Sequence, residues 1–210
     1  MKLEVSAMSG RKQFDVGAAL DQAMRVFWQR GYAEASLDAL GSATGLGRGS
    51  LYGTFGTKDA LFRQCLDRYV SIYGAQYEQA LTAHSGDPVR AVEAYFDLIL
   101  SRIADPSVPV GCLIAQSAAQ SPTLKEENST QVRGLLDLQR QRVRAALADS
   151  SADARTLDEL ATFVVAVNQS LAVLSRAGAS DAELRSVARL ACTTVADTLA
   201  RAAPEDVTQG

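Results

Sequence analysis

Helical periodicity runs through almost the whole chain, and no stretch shows the alternation of a half-buried β-strand. Apolar residues recur three or four positions apart, and glycine, proline and short polar stretches separate the periodic segments. This pattern predicts an all-α fold of about nine helices, in which three short helices form an N-terminal head and the others form a bundle. With 210 residues, of which 47% are hydrophobic, the chain is long enough to bury a sizeable core.

Capping residues and chain breaks set the expected helix boundaries. Asp15, Ser36 and Thr57 are suited to N-caps, and Gly31 and Gly45 to helix ends. Pro122 is expected to open the seventh helix. The expected helices cover about 15–30, 36–44, 48–55, 57–81, 89–104, 112–120, 122–149, 153–177 and 181–202.

Charge is unevenly distributed along the chain. The net charge is −3, yet residues 1–58 carry seven Lys/Arg and five Asp/Glu, a net of +2, and residues 59–210 carry fourteen and nineteen, a net of −5. A mildly basic head on an acidic body places any anionic polymer at the head. We expect an N-terminal domain over 1–57, a C-terminal domain over 58–204 and a tail over 205–210.

Composition argues against several classes of protein. No run of eighteen apolar residues suggests a membrane span, and the start lacks the apolar stretch of a secretory signal. Cys65, Cys112 and Cys192 lie far apart without metal or redox spacing, which favours reduced thiols in a cytosolic protein. The single histidine, His84, has no catalytic or metal-ligand pattern around it, so we expect no enzyme, no metal and no cofactor.

The stretch GLGRGSLYGTFG, residues 45–56, holds five of the fifteen glycines. GLGRG lacks the preceding strand and the third glycine of a dinucleotide fingerprint, and in GTFGTK a threonine separates the glycine from the lysine. A helix–turn–helix fits better, because helix 37–44, a glycine turn at 45–47 and a second helix match its geometry. The second helix would enter the major groove and present Arg48, Ser50, Tyr52 and Thr54.

The glycines of this stretch also leave little side-chain bulk along the second helix, so its backbone can approach DNA closely. These glycines are Gly47, Gly49 and Gly53. Arg48 is the best candidate for reading a base, since arginine can donate two hydrogen bonds to guanine. A phosphate contact is the alternative for Arg48. Ser50 either touches a base or only fills space.

Residues 15–65 carry an ordered set of short motifs, namely VF, GY, SLDAL, GLGRGSLY and FGTKDALF. This combination resembles the DNA-binding head of the TetR family of bacterial transcriptional regulators. The resemblance implies a homodimer, an operator with two half-sites and a small effector that releases the DNA. Gly53 departs from the family pattern, which often has a bulky residue there, and Thr54 stands where an aromatic residue or histidine often contacts phosphate. Contact there is expected to be weaker, or made by the threonine hydroxyl.

By their positions in the family motif, Tyr52 and Lys58 should bind phosphate, although half-buried packing is an alternative for Tyr52. Ser36 is first a helix cap and also a candidate phosphate contact. Arg11 and Lys12 form either an arm that reaches DNA or a solvated tail. The candidate DNA contacts are therefore Ser36, Arg48, Gly49, Ser50, Tyr52, Thr54 and Lys58.

The body offers candidates for an effector site. Cys112 opens the sixth helix, where a helix N-terminus can lower the pKa of a thiol, but it can equally be a small hydrophobic core residue. Gln116 follows one turn later, and Asn168 lies in an apolar run where it needs a partner. We expect a mostly apolar cavity bounded by the fourth to eighth helices, with Cys112 and Gln116 on its wall. The aromatic candidates, for which core packing is the alternative, are Tyr73, Tyr95, Phe96 and Phe163.

The last two helices, over 153–177 and 181–202, are rich in alanine, valine and leucine. A four-helix contact between two protomers is the expected use of these residues, with Val187 and Ala191 at the contact. Packing within one chain is the alternative.

The sequence therefore predicts a cytoplasmic DNA-binding transcriptional regulator. We expect a repressor that a small, mostly apolar effector releases from double-stranded operator DNA. Two alternatives stay open: a helical small-molecule-binding protein whose head does not bind DNA, and a regulator that responds through the Cys112 thiol.

Overall fold

A computed structural model describes residues 15–202 of the chain. All of its secondary structure is helical, and these described residues form nine main helices, so the all-α prediction is confirmed. Arg11, Lys12 and the expected tail at 205–210 lie outside the described residues. We number the helices α1 (Val16–Glu34), α2 (Leu37–Thr44), α3 (Arg48–Phe55), α4 (from Lys58 to Thr82), α5 (Pro88–Ala104), α6 (Leu113–Ala119), α7 (Glu126–Leu147), α8 (Ala154–Arg176) and α9 (Asp181–Ala202).

Helix α4 is continuous but changes its winding. It is α-helical over Lys58–Tyr69, π-helical over Val70–Gly74 and α-helical again over Ala75–Thr82. Single π-turns inside α-helices are rare and often lie at functional sites. This helix begins in the head and ends in the body, so the π-helical segment lies on the path between them.

The predicted caps are present. The side-chain oxygens of Asp15, Ser36 and Thr57 each accept a hydrogen bond from a backbone amide in the following turn, at 2.8, 3.1 and 3.2 Å. Regular winding of α1 is interrupted at Gly31, whose φ of 77° and ψ of 172° are not helical.

The start of the seventh helix differs from the prediction. Pro122 lies in a short 3-10 turn, Ser121–Thr123, and α7 begins only at Glu126. Proline suits the first turn of either kind of helix, because it has no amide hydrogen to donate there. The extended backbone of Leu124 and Lys125 separates this turn from α7.

Two hydrophobic cores stabilise the chain. The first contains head residues such as Phe27, Trp28 and Phe62, and also Leu113 and Ile114 from α6. The second lies in the body, between the end of α4 and helices α5, α7, α8 and α9. The first core therefore crosses from the head into the body.

Helix α8 alone among the described helices is long and apolar enough to cross a membrane, by length and composition. In this fold it packs against α7 and α9, and Leu160, Ala161, Val164 and Leu171 are buried in the bundle. The arrangement is that of a core helix in a helical bundle.

Candidate nucleic-acid interface and body cavity

Helices α2 and α3 form the predicted helix–turn–helix. Gly45 ends α2 with φ 70° and ψ 15°, a left-handed conformation that glycine adopts without strain. Leu40, Leu51 and Phe55 are buried and fix both helices to the head core. The side of α3 away from this core is thereby held at the surface.

That outer side carries most of the predicted DNA contacts. Arg48, Gly49, Ser50 and Tyr52 are exposed, and Thr54 is half-buried. Tyr52 is 47% exposed, so its ring and hydroxyl are open to an external partner.

Glycine is not needed on α3 for packing within the chain. A Cβ atom added at Gly47, Gly49 or Gly53 would meet no atom of residues 15–202 within 4 Å. Open space at three glycines beside exposed Arg48 and Tyr52 suits the close approach of an external partner.

We expect Gly53→Ala to stabilise the protein while weakening its binding to DNA. Alanine in a helix interior is about 1 kcal/mol better than glycine, so the melting temperature should rise by about 2–4 °C. The added methyl group would stand on the surface that meets the duplex. Calorimetry and a DNA mobility shift would measure the two effects, and unchanged DNA binding would show that α3 does not approach DNA at this position.

Arg48 is held by an acidic neighbour across the helix–turn–helix. Its guanidinium donates to Asp38 from Nη2 at 2.9 Å and from Nε at 3.3 Å. This contact raises the pKa of Arg48, and both side chains are exposed. Because exposed ion pairs contribute little stability, Arg48 can exchange Asp38 for a phosphate or a guanine.

Lys58 lies at the junction of α1 and α4. Its Nζ is 4.5 Å from the ring centroid of Tyr32 and 3.5 Å from the carbonyl oxygen of Ala33. Burial lowers its pKa, although the nearby carboxylates of Asp59 and Glu34 act in the opposite direction. Ser36 is placed as a helix cap. Phosphate contacts by Lys58, Tyr52 and Ser36 stay predictions.

Gln120, just after α6, reaches the break in α1. Its Oε1 accepts a hydrogen bond from the amide of Tyr32 at 2.7 Å. A Cβ at Gly31 would lie 2.3 Å from Gln120 Nε2, so glycine at this position makes the contact possible. This hydrogen bond therefore ties the end of α6 to α1.

Asp59 joins the head to α7. Its buried carboxylate accepts hydrogen bonds from Tyr32 Oη at 2.6 Å, Lys125 Nζ at 2.6 Å and Asn128 Nδ2 at 2.8 Å. Burial alone would raise the pKa of Asp59, but these donors outweigh it and the net shift is downward.

Arg176, at the end of α8, makes a third link to the head. It donates to the carbonyl oxygens of Trp28 at 3.1 Å and Gln29 at 3.0 Å. Helices α6, α7 and α8 therefore each hold the head through a polar side chain at or beside one of their ends.

A narrow cavity lies in the body between α4, α5, α6 and α7. It has a volume of about 20 Å³, enough for one water molecule. Five of its eleven lining residues come from α4, including the π-helical segment, and four come from α7. The lining residues are Tyr69, Val70, Gly74, Tyr77, Leu81, Tyr95, Ile114, Leu135, Leu138, Gln139 and Arg142.

The structure brings together only some of the predicted effector residues. Tyr95 lines the cavity, and buried Asn168 donates a hydrogen bond to its hydroxyl at 2.9 Å. Cys112 is buried beside the cavity, where its Sγ accepts from the hydroxyl of Tyr69 at 3.4 Å. Gln116 is half-buried and does not line the cavity.

The other aromatic candidates lie elsewhere. Tyr73 packs edge-on against Trp28, with ring centroids 5.4 Å apart. Phe96 is buried in the body core, and half-buried Phe163 packs against the same core. These residues do not line the cavity, and helix α8 contributes nothing to its wall.

Sequence reasoning missed several residues of this region. Tyr69 and Tyr77 belong to an apolar stripe on α4 that resembles ordinary core packing. Arg142 donates to the carbonyl oxygen of Gly74 at 3.2 Å and pairs with Glu78 at 2.9 Å. The one signal in the sequence is that Gly74 and Glu78 lie four residues apart, which places both on one face of α4 where a single side chain can contact them.

An exposed second helix on a three-helix head, tied to a helical body with an internal cavity, defines a helix–turn–helix DNA-binding regulator. Residues 19–65 match the family model described as bacterial regulatory proteins, tetR family. The chain is 34% identical to the HTH-type transcriptional repressor ComR of Escherichia coli strain K12, over 84% of this chain and 87% of ComR. The chain belongs to the TetR family.

Solved structures agree with this assignment. A cysteine mutant of the TetR family regulator CifR, complexed with 26-bp double-strand operator DNA, has a TM-score of 0.75 and 32% identity over 87% of this chain and 97% of CifR. A TetR regulator from Chloroflexus aurantiacus J-10-FL has a TM-score of 0.74 and 23% identity, over 85% of this chain and 92% of its own. The latter similarity concerns the fold alone.

Proposed function

We propose that this protein is a cytoplasmic transcriptional repressor that binds a two-half-site operator as a homodimer and leaves it when a small effector binds the body. Residues 1–57 form the DNA-binding domain and residues 58–204 the effector-binding and dimerisation domain. The observation that carries the proposal is the outer side of α3, where exposed Arg48 and Tyr52 stand beside glycines with open space. The similarity to the repressor ComR supports repression rather than activation.

Helices α8 and α9 form the proposed dimer contact. Leu190 on α9 is 63% exposed and Val173 on α8 is 58% exposed, and large aliphatic side chains at such positions favour burial against a partner. Ala191 is only 2% exposed and packs in the core of its own chain, so it is not available for this contact. Val187 is half-buried.

Effector binding acts through the links between body and head. A ligand can change DNA affinity only if it favours one body conformation over another. Opening the narrow cavity moves α4 and α7 apart, and both helices hold Asp59, α4 by carrying it and α7 through Lys125 and Asn128. The paired heads then lose the spacing that two half-sites require.

Arg48→Ala is expected to cost about 1–3 kcal/mol of operator binding and to relax specificity at one position in each half-site, because a bidentate base contact is lost. Lys58→Ala should weaken binding to every sequence and reduce the salt dependence of log K by about one per half-site. Mobility shifts over a salt series, with operator and random DNA, measure both effects. If both variants bind as the wild type does, the assigned surface is wrong and the protein is a ligand-binding relative without this DNA contact.

Asp38→Asn provides the matched variant for Arg48. It removes the ion pair and one negative charge from the DNA-facing surface, so it should strengthen DNA binding at low salt and leave Arg48 free to bind. Weaker binding would mean that Asp38 must orient Arg48 for base contact.

A thiol response at Cys112 is the second candidate for the signal. The observation that favours it is the contact between Cys112 Sγ and the hydroxyl of Tyr69, a residue of the cavity wall. Burial of the thiol counts against it. Cys112→Ser separates the two, because a ligand-controlled repressor would still leave DNA with its effector, whereas a thiol sensor would stay bound under any oxidant or electrophile.

A further inference from the structure

Arg102, in the last turn of α5, is a buried cation without a buried counter-charge. It is 7% exposed, and its guanidinium donates to the hydroxyl of Tyr77 and to the carbonyl oxygen of Gly111, both at 2.5 Å. Its Nη2 atom has no hydrogen-bond partner in the described part of the chain. No carboxylate in residues 15–202 lies within ion-pair distance of Arg102. A buried charge left in this state is costly, so its presence needs an explanation.

The hydroxyl of Tyr77 and the carbonyl oxygen of Gly111 accept from Arg102, whereas the other neighbouring side chains, Trp28 and Tyr69, bring N–H and O–H donors. The guanidinium lies 5.5 Å from the ring of Trp28, whose buried Nε1 also has no hydrogen-bond partner among the described residues. Burial raises the pKa of Tyr77 to about 12 and raises that of Tyr69 well above its usual value, so both phenols keep their protons. The cluster of Arg102, Trp28, Tyr69 and Tyr77 therefore has one positive charge and more donors than acceptors.

Two residues of this cluster line the body cavity. Tyr69 and Tyr77 belong to the cavity wall, and Arg102 lies directly behind Tyr77, to which it is hydrogen-bonded. The rest of the wall is aliphatic apart from Tyr95, Gln139 and Arg142, and it includes no carboxylate. A molecule that enters thus meets a mostly aliphatic wall that carries the phenol hydroxyls of Tyr69 and Tyr77, with the Arg102 cation hydrogen-bonded to Tyr77.

We propose that the effector is a small apolar carboxylic acid whose carboxylate binds at Tyr69 and Tyr77 and supplies the counter-charge of Arg102. The inference rests on the proposed effector site and adds the chemical class of its ligand. A charge-assisted hydrogen bond from a phenol that itself accepts from a guanidinium is strong, and it favours an anion over a neutral amide. A cationic ligand would instead lie near Arg102, which has no carboxylate partner among the described residues, while the other arginine, Arg142, is already paired with Glu78.

Binding of such an acid also requires the cavity to open. Its volume of about 20 Å³ is far below that of any acid with an apolar body. The aliphatic part must therefore push apart the two sides of the cavity wall, which are Leu135 and Leu138 of α7 and the π-helical segment of α4. The same displacement separates the two helices that meet at Asp59.

Trp28 makes the proposal measurable, because it is the single tryptophan of the chain and belongs to the cluster. Two matched series are titrated into the full-length protein without DNA while its fluorescence is followed. One series is octanoate, octanamide and octylamine, and the other is phenylpropanoate, phenylpropanamide and phenylpropylamine. In at least one series the acid should bind about tenfold or more tightly than the amide, and the amine should bind weakest.

Variants then assign the preference to the cluster. Arg102→Gln should reduce the ratio of acid affinity to amide affinity to near one. Tyr77→Phe keeps the ring and should reduce this ratio in part. It provides the test if Arg102→Gln does not fold. Tyr73→Phe is the matched control, since Tyr73 touches Trp28 but does not line the cavity. The proposal is overturned if no acid binds at about 10 mM, if amides or amines bind as well as acids, or if the Tyr77→Phe preference equals that of the wild type.

DNA release is scored separately with the operator complex. An acid that binds without releasing operator DNA would contradict the proposed function and leave the ligand class intact. Release by an amine or amide, with no binding of acids, would contradict the ligand class alone.

Discussion

A Leu190→Glu variant is expected to be a folded monomer that binds the operator about a hundredfold or more weakly than the wild type. In the proposed dimer, the exposed Leu190 of α9 is covered by the partner subunit, and a carboxylate there would be buried without a counter-charge. A monomer contacts one half-site and so loses half of the phosphate contacts. Sedimentation velocity measures the association state, and mobility shifts measure the affinity.

Gln141→Glu is the matched control for this variant. It adds the same charge at an exposed position on α7, outside α8 and α9, and should remain a dimer with unchanged affinity. A Leu190→Glu protein with wild-type circular dichroism that still sediments as a tight dimer would place the contact elsewhere.

Gly31→Ala is expected to lower the melting temperature by about 5–10 °C, at about 2–4 °C for each kcal/mol in a protein of this size. Its backbone angles, φ 77° and ψ 172°, fall in a region that essentially only glycine adopts, which costs about 1–3 kcal/mol for alanine. The new Cβ would also displace the side chain of Gln120 and break its hydrogen bond to Tyr32. Differential scanning calorimetry gives the melting temperature.

Two further variants separate the contributions of backbone strain and of the Gln120 clash to this loss of stability. Gly86→Ala also places alanine at a positive φ, of 85°, but meets no atom within 4 Å, so it should cost less than Gly31→Ala. Gln120→Ala added to Gly31→Ala removes the clash but not the backbone strain, and should recover only part of the stability. If Gly31→Ala melts as the wild type does, α6 does not hold α1 in the way described.

The head was readable from sequence because its determinants are local. Ser36, Gly45 and Thr57 act on amides and carbonyls within a few residues of themselves, so capping rules place the ends of α2 and the start of α4. Pro122 fits the first turn of either an α-helix or a 3-10 turn, and local rules did not distinguish them.

The hydrogen bonds that join the head to the body, and the cavity itself, depend on contacts between residues that lie far apart in the sequence. Asp59 meets Lys125 and Asn128 more than sixty positions later, and no spacing in the chain marks them as partners. Asn168 was recognisable as a buried polar group in need of a partner, but Tyr95 could be identified as that partner only once α5 and α8 were packed. Periodicity likewise shows that Tyr77 faces inward, but not that Arg102 lies behind it.

The core that crosses from head to body limits how the protein can be divided. Phe27 and Trp28 share one apolar cluster with Leu113 and Ile114 of α6, so a fragment that ends at residue 57 would expose much of its interior to water. A chimera that exchanges DNA specificity between family members should therefore transfer the α6 residues of this cluster together with the head. Sequence change in this protein is constrained in the same way, because the core residues of the head and those of the sixth helix pack in one cluster and cannot change size independently.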